Sequence, residues 1–449
     1  MNSKTEVFCL TSQDGRLLPP AVQATILAKY SRSPLSARQL IDQLTPEDAD
    51  KFQSKWVIEY GHSSVSELAV IPLCFEGVSI VASKFLESFQ RPGYSEKSTR
   101  YQVFSRDSFI TPPDAPPTMA AFAARLYDAY DSIYPKVMRR IAELMGKDPN
   151  DPKILTDRVI KARAFDNVRY LLPAGTGTNL AWVGFARDIR YMISAARGHS
   201  NPEIRSLGDL AAKAVATMCP VFVEKAYADN FEPSVKGLGS LSPKFDFSNP
   251  NWYVDIHRKH LLPDPNLVEK SFEVLIADRY GMSWSAFSKL MENRDKRAVP
   301  KAFRTINMAF EIMMDYGAFR DLQRHRRCEQ YVEPLHTNYG YLVPDDIAGS
   351  DFEQEYHDAM KSVLAYNDDG VVHDSDLMQY MVPLGYLHRS VFEMDAQEIY
   401  YITELRTQPQ GHISYRRIAY EMFKVANSRL PSMFQWCKAL NPTEIGEHK

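Results

Sequence analysis

The feature that most constrains this chain is a break near its middle with the same landmarks on either side, in the same order. Glu232 to Pro250 (EPSVKGLGSLSPKFDFSNP) gathers Pro, Gly and Ser and carries no helical period, as a linker does. Before it, Val78 to Gln90 places Val78, Val81, Phe85 and Phe89 on one helical face and then enters the polar loop RPGYSEKSTRY. After it, Ile306 to Gln323 places Ile306, Phe310, Met313 and Leu322 similarly and enters RHRRCEQYVEPLHTNYGY. Leu171-Leu172-Pro173 matches Met381-Val382-Pro383 in character, and each leads to a helix bearing an arginine. Arg197 stands 24 residues after Pro173, and Arg406 stands 23 after Pro383. Unrelated domains can share one such feature; three in order argue for duplication, with one copy over 1–231, a linker over 232–250 and a second copy over 251–449.

The length of 449 residues suits two domains rather than one small module. Lys plus Arg (53) nearly balance Asp plus Glu (56), so no bulk basic field argues for nucleic acid or an anionic membrane. The five cysteines lie far apart without a Cys-x-x-Cys pair, which excludes a sequence-readable zinc site or disulfide framework and suits a reducing compartment. Polar residues from Asn2 to Glu6 interrupt the place of a signal peptide, and no apolar run approaches the ~20 residues of a membrane span. The expectation is a soluble, cytoplasmic protein with neither nucleic acid nor membrane as partner.

Helical periods run over Ala124 to Leu144, with Pro135 as a candidate kink, and over Phe272 to Tyr280 and Ile413 to Ala426. Strand candidates are Val7 to Leu10, Leu68 to Phe75 and Phe303 to Phe310. The fold class expected is α+β with helices in the majority.

Several groups are candidates for chemistry. Ser98-Thr99-Arg100-Tyr101 sets two hydroxyls beside a guanidinium, a set that suits a phosphate but also an ordinary loop end. Arg169 before the Leu-Leu-Pro turn and Arg197 before Gly198 read either as helix ends opening onto a cleft or as ordinary surface arginines. Arg324-His325-Arg326-Arg327 concentrates cations; it reads either as a helix C-terminal cluster or as a seat for a polyanion such as a dinucleotide. No Gly-x-Gly-x-x-Gly or Walker loop is present, so a nucleotide would have to be held another way. Gly61-His62-Ser63-Ser64, with Glu67 beyond it, is turn chemistry or a ligand-contacting loop in which His62 titrates nearest neutrality.

Taken in order, these residues resemble the flavin-dependent thymidylate synthases, the ThyX family. The family pattern is Gly-His-x-Ser/Thr-x-x-Glu-His, a strand and helix, Arg-His-Arg, seven residues, Ser-x-Arg-Tyr, and later Arg-x-x-Leu-Pro and a helix with a nucleotide-binding arginine. The first half carries Gly61, His62, Ser64, Glu67, Ser98, Arg100, Tyr101, Arg169, Leu172-Pro173 and Arg197, over roughly Ala28 to Ala212. Ala28-Lys29-Tyr30-Ser31 resembles the family's early flavin-contacting serine. Ser88-Phe89-Gln90 stands where Arg-His-Arg belongs, and Leu68 replaces the second histidine. The second half has Arg324-His325-Arg326 but Pro334-Leu335-His336 in place of Ser-x-Arg, and Gln379 at the place of Arg169; Arg406 remains.

The resemblance implies two tandem ThyX-like α+β units, each a small sheet with long helices, and reductive methylation of a pyrimidine deoxynucleotide of the dUMP-to-dTMP type. It implies FAD as cofactor, NADPH and methylenetetrahydrofolate as co-substrates, and no metal. Because the family's tetramer builds each site from several subunits, complementary losses in two copies imply a composite site, and two chains would form a homodimer mimicking that tetramer. The nucleotide would meet Glu96, Ser98, Thr99, Arg100, Arg169 and Arg197. The flavin would meet Ser31, His62, Ser64, Arg324, His325 and Arg326, with Arg324 and Arg406 as the catalytic arginines. The alternative is a paralogue that lost catalysis and persists as a nucleotide- or flavin-binding protein.

Overall fold

Val70–Ser79 (β1) alternates exposed and buried residues along most of its length, turning Ile71, Leu73 and Phe75 inward as a half-covered strand must. The computed structural model describes residues 16–31, 33–55, 64–100, 102–224, 226–228, 238, 240–258, 262–295, 298–368 and 375–442. β1 joins Gly93–Glu96 (β2) and Gly177–Phe185 (β3) in a sheet of order β1-β3-β2, where β2 runs antiparallel to β3 with Gly93 opposite Val183. A second sheet, order β4-β5-β7-β6, is antiparallel throughout and consists of Tyr253–Ile256 (β4), Asn307–Asp315 (β5), Cys328–Val332 (β6) and Leu387–Asp395 (β7). Helices predominate around both, so the α+β expectation holds.

The helical reading of Ile306 to Gln323 is corrected here. The segment is strand β5 followed by a short helix, Tyr316–Leu322. Its run of apolar residues is buried on both faces, which hides the period of two, and Asp315 makes the change of state by accepting the Ala318 N–H at 2.7 Å as the helix cap. In the first half the corresponding stretch is likewise β1 and then Ile80–Glu87. The helix expected from Ala124 begins earlier, at Thr118, and continues through Pro135 to Leu144. Pro265–Tyr280 and Ile413–Arg429 contain the other two expected helices. The strand expected over Val7 to Leu10 lies outside the described residues.

The chain packs as two compact units: the described residues of 1–78, 82–97 and 178–233 form one, and those of 79–81, 98–177 and 234–449 the other. The stretch Ser98 to Gly177, first-half sequence by the repeat, thus packs in the unit that holds the second half. The first unit buries one face of its sheet under an apolar core that includes Ile26, Trp182, Ile193 and Val215. The second has its own larger core, including Ile133, Leu171, Phe310, Tyr356, Ile399 and Met422.

Inside the second unit the two Pro turns face each other. Ala174 N donates to Val382 O at 2.9 Å while Leu384 N donates to Leu172 O at 2.9 Å. Gly175 N donates to Tyr380 O at 2.7 Å while Gly385 N donates to Tyr170 O at 3.0 Å. Each bond has a counterpart with the halves exchanged, so a local two-fold relates Pro173 to Pro383. Both glycines are required by the close approach: a Cβ on Gly175 would lie 3.0 Å from Tyr380 O, and one on Gly385 would lie 2.9 Å from Tyr170 Cβ. The symmetry extends outward, since Val81 N donates to Ala174 O as Gly317 N does to Leu384 O. Among the described residues, no helix is long and apolar enough to cross a membrane.

Candidate functional site

The first-half contribution is built on the helix Arg158–Val168. Asp157 caps it by accepting from Val159 N at 2.9 Å and Ile160 N at 3.2 Å, and a 3-10 turn, Arg169–Leu171, follows directly. Asp166 and Arg169 therefore lie about one turn apart, and both are buried. Arg100 forks onto Asp166, Nε to Oδ1 at 2.6 Å and Nη2 to Oδ2 at 2.8 Å, the bidentate geometry that guanidinium favours. Burial alone would raise the Asp166 carboxyl; His412, Arg100 and Arg169 hold it below the ordinary carboxylate range. The Arg100 guanidinium is held more firmly charged than usual, because the Asp166 pair outweighs the effect of burial. Thr99 is buried and its hydroxyl accepts from Arg320 Nη1 at 3.3 Å, while Ser98 Oγ accepts the Arg100 N–H at 3.2 Å.

Arg169 is different. Its side chain is 4% exposed and its nearest carboxylate oxygen is Asp321 Oδ2, 3.8 Å from Nη1. Nε and Nη2 have no hydrogen-bond partner among the described residues. A buried cation with two idle donors carries the full desolvation cost of those groups, so the position has unused capacity for an acceptor.

The second half supplies the helix Tyr316–Leu322 and the loop after it. Asp321 lies on this helix one turn before Arg324. Burial pushes its carboxyl up, but the charges of Arg169, Arg324, Arg406 and Arg100 hold it below the usual range. His325 is buried between Glu398 and Arg406: Nδ1 lies 3.3 Å from Glu398 Oε1, and Nε2 accepts from Arg406 Nε at 2.8 Å. That network assigns the imidazole proton to Nδ1. Burial and Arg406 hold the ring below its ordinary pKa against the pull of Glu398. Arg406 also lies over the Tyr415 ring, 5.5 Å from its centroid. Arg324 is exposed, with no hydrogen-bond or ion-pair partner among the described residues; Arg326 is exposed as well.

His412 ties the halves together. It caps Ile413–Arg429 by accepting from Ser414 N at 3.2 Å, and its Nε2 donates to the Asp166 carbonyl at 3.1 Å. Ser414 Oγ in turn donates to Asp315. Burial, with Arg169 next, pushes the His412 ring down to about 4. Thr99, Arg100 and Arg169 from one half are thus assembled with Asp321, Arg324, His325 and Arg406 from the other, all within the second unit.

The remaining described sequence candidates belong to the first unit. Glu96 ends β2 and accepts from Ser83 Oγ at 2.8 Å and Lys84 Nζ at 3.0 Å. Arg197 ends the helix Ala186–Arg197, where it donates to Asp209 at 2.8 Å and to the Ala226 carbonyl. Ser31 caps Pro20–Tyr30 and donates to Ala28 O at 2.9 Å, and Ser64 is exposed in a turn. His62, with Gly61 and Ser63, lies outside the described residues, as does Tyr101. The sequence reading passed over Asp166, Asp321, Glu398 and His412. Asp321 had a local signal, three residues before Arg324 in RDLQRHR; the others meet their partners only through long-range contacts.

A set of guanidinium groups with one buried member unsatisfied is thus gathered from both halves of the sequence within the second unit, with donors left over for an acceptor. The sequence profile of the family described as thymidylate synthase complementing protein matches residues 20–221 and 268–432, two matches on opposite sides of the central break. The chain belongs to that family, and it is a tandem duplication within it. It is 30% identical to a UPF0159 protein of Chlamydia pneumoniae over 93% of this chain and 88% of that one. A UPF0159 protein of Chlamydia muridarum is 28% identical over 100% of this chain and 95% of its own length. A flavin-dependent thymidylate synthase of Mycobacterium avium is 28% identical over 37% of this chain and 65% of its own.

Proposed function

We propose that the chain carries out flavin-dependent reductive methylation of a pyrimidine deoxynucleotide, dUMP to dTMP in type, at a site composed from both halves. The observation that carries this reading is Arg169, a buried guanidinium with Nε and Nη2 unpartnered, from one repeat, next to the Arg324–Arg406 group of the other. Arg169 would bind the anionic nucleotide. Arg324, open and unpartnered, would polarise a ring carbonyl and lower the cost of negative charge on the pyrimidine. Arg406 is positioned by His325 and Tyr415, so its charge is fixed in place before a ligand arrives.

The residues fit FAD in charge: Arg324 and Arg326 offer exposed guanidinium groups, while His325 has both ring nitrogens committed and can offer only a ring face. When bound and reduced, the flavin supplies the reducing equivalents and the transfer of the one-carbon unit, with NADPH and methylenetetrahydrofolate as co-substrates. Two chains would complete a pseudo-tetramer, which light scattering of the purified protein tests as a dimer against a monomer.

A second reading, a nucleotide-binding paralogue without turnover, is favoured by one observation: Arg100 spends its fork on Asp166. Tritium release from carbon-5-labelled dUMP, with FAD, NADPH and methylenetetrahydrofolate supplied, separates the two. Release that disappears in both Arg169→Ala and Arg324→Ala supports the enzyme. Nucleotide binding without release, in protein that takes up no flavin, supports the binder.

A further inference from the structure

The charges of Arg169, Arg324, Arg406 and Arg100 all reach the Asp321 carboxylate, an acid whose chemistry the reading above leaves unused. The other acids of this region are occupied. Asp166 receives the Arg100 fork, Asp315 receives the Ala318 N–H and the Ser414 hydroxyl, Glu398 receives the His325 Nδ1–H, and Asp395 receives the Glu398 N–H at 2.9 Å. Neither oxygen of Asp321 accepts a hydrogen bond from any described residue. Among the described residues its ion-pair partner is Arg169, whose Nη1 stands 3.8 Å away, and 16% of its side chain remains exposed. Arginine charges near an ionised carboxylate usually end in a fork, as Arg100 and Asp166 do. Here the carboxylate and the buried guanidinium stand side by side with their hydrogen-bonding capacity unspent.

An ionised carboxylate only accepts and a guanidinium only donates. Together they match a ligand edge that carries an N–H beside an acceptor. We propose that Asp321 is a specificity-determining residue that accepts a hydrogen bond from a ring-edge N–H of the pyrimidine, while Arg169 donates to the neighbouring acceptor. The inference rests on the proposed pyrimidine nucleotide reading and deepens it. Such an edge occurs as the imide N3–H of uracil and as the exocyclic amine of cytosine; an N3-alkylated uracil lacks it. The negative charge of Asp321 would also oppose ligands that bring additional phosphates to the same place.

Calorimetry on the full-length chain tests this with dUMP, N3-methyl-dUMP, dCMP and 2-deoxyribose 5-phosphate. Wild-type protein should bind dUMP about ten- to a hundredfold more tightly than N3-methyl-dUMP, the loss usual for one hydrogen bond to a charged group. Asp321→Ala should bring that ratio near one while binding 2-deoxyribose 5-phosphate at least as well as wild type. A dCMP affinity above that of dUMP, also lost in the variant, assigns the donor to the amine. Equal wild-type affinity for dUMP and N3-methyl-dUMP, with dCMP bound no more tightly than either, overturns the role of Asp321 without using a variant. A variant that tightens every ligand by the same factor overturns it too, since Asp321 would then only balance charge. If the wild-type chain binds no pyrimidine nucleotide, the nucleotide reading itself falls, and this inference with it.

Discussion

Arg169 and Gln379 stand four residues before Pro173 and Pro383, at corresponding places about the local two-fold, and they differ in what they leave unsatisfied. Gln379 closes its own surroundings: its Oε1 accepts from Leu335 N at 3.2 Å and its Nε2 donates to Asp376 at 3.3 Å. Arg169 retains two buried donors with no described partner. The neighbours follow the same division. Glu333 N donates to Arg389 O as Lys97 N does to Asn179 O, so Thr99 and Arg100 correspond to Leu335 and His336. One side of the two-fold keeps a buried guanidinium with donors to spare; at the corresponding position the other carries a neutral amide that is satisfied internally. Duplication allowed the backbone frame to stay symmetric while the chemistry became one-sided.

The largest effect that would sharpen this comparison is on stability. Arg100→Ala leaves Asp166 as a buried carboxylate without its fork, a loss of about 3–5 kcal/mol, whereas His336→Ala at the corresponding position should cost about 1 kcal/mol or less. Urea midpoints for the two variants measure this, and equal shifts would break the asymmetry. Next comes acid sensitivity. His412, held neutral with its pKa pushed down to about 4, takes up a proton more readily when unfolded, where it titrates near 6.5. Its contribution is present in full above about pH 6.5 and is lost as pH falls toward 4, a change of about 3 kcal/mol from this group. Asp166, with its pKa lowered in the fold, acts in the same direction at still lower pH, and His388, pushed down to about 3 by burial, adds its own loss from about pH 6.5 downward. Melting temperatures between pH 7 and 4 should therefore fall, and His412→Asn should flatten the curve; a curve of unchanged slope would remove His412 from the account.

A smaller effect of opposite sign concerns Arg169. Arg169→Met removes an unsatisfied buried cation, so the ligand-free protein should melt no lower than wild type, while dUMP affinity falls about ten- to a hundredfold. A variant that loses stability and keeps affinity would mark Arg169 as structural. Gln379→Met should change affinity least, by less than about threefold, because Gln379 already spends its amide on Leu335 and Asp376.

How much of this was legible in the sequence depends on the range of each interaction. The duplication, the Pro turns and the candidacy of Arg169, Arg324 and Arg406 follow from short motifs at fixed spacing, and the structure joins the first-half and second-half candidates of the second unit into one assembly. Ile306 to Gln323 misled because a strand buried on both faces carries no alternation, and only the Asp315 cap marks where it ends. Asp166 and His412 were invisible for another reason. Asp166 meets Arg100 across 66 residues of sequence and His412 across 246, distances at which no periodicity speaks. The packing of Ser98 to Gly177 with the second half was hidden in the same way, since it depends on backbone pairing between two turns that look alike. Glu96 and Arg197 matched the family pattern yet spend their polar groups on Lys84, Ser83, Asp209 and Ala226.

The central claim is that both halves furnish one anion site per chain, and the stoichiometry of dUMP binding tests it most directly. Titration calorimetry should give one nucleotide per chain, with affinity reduced about tenfold or more both by Arg169→Met in the first repeat and by Arg324→Ala in the second. Two nucleotides per chain, or a single site indifferent to one of these substitutions, would contradict it.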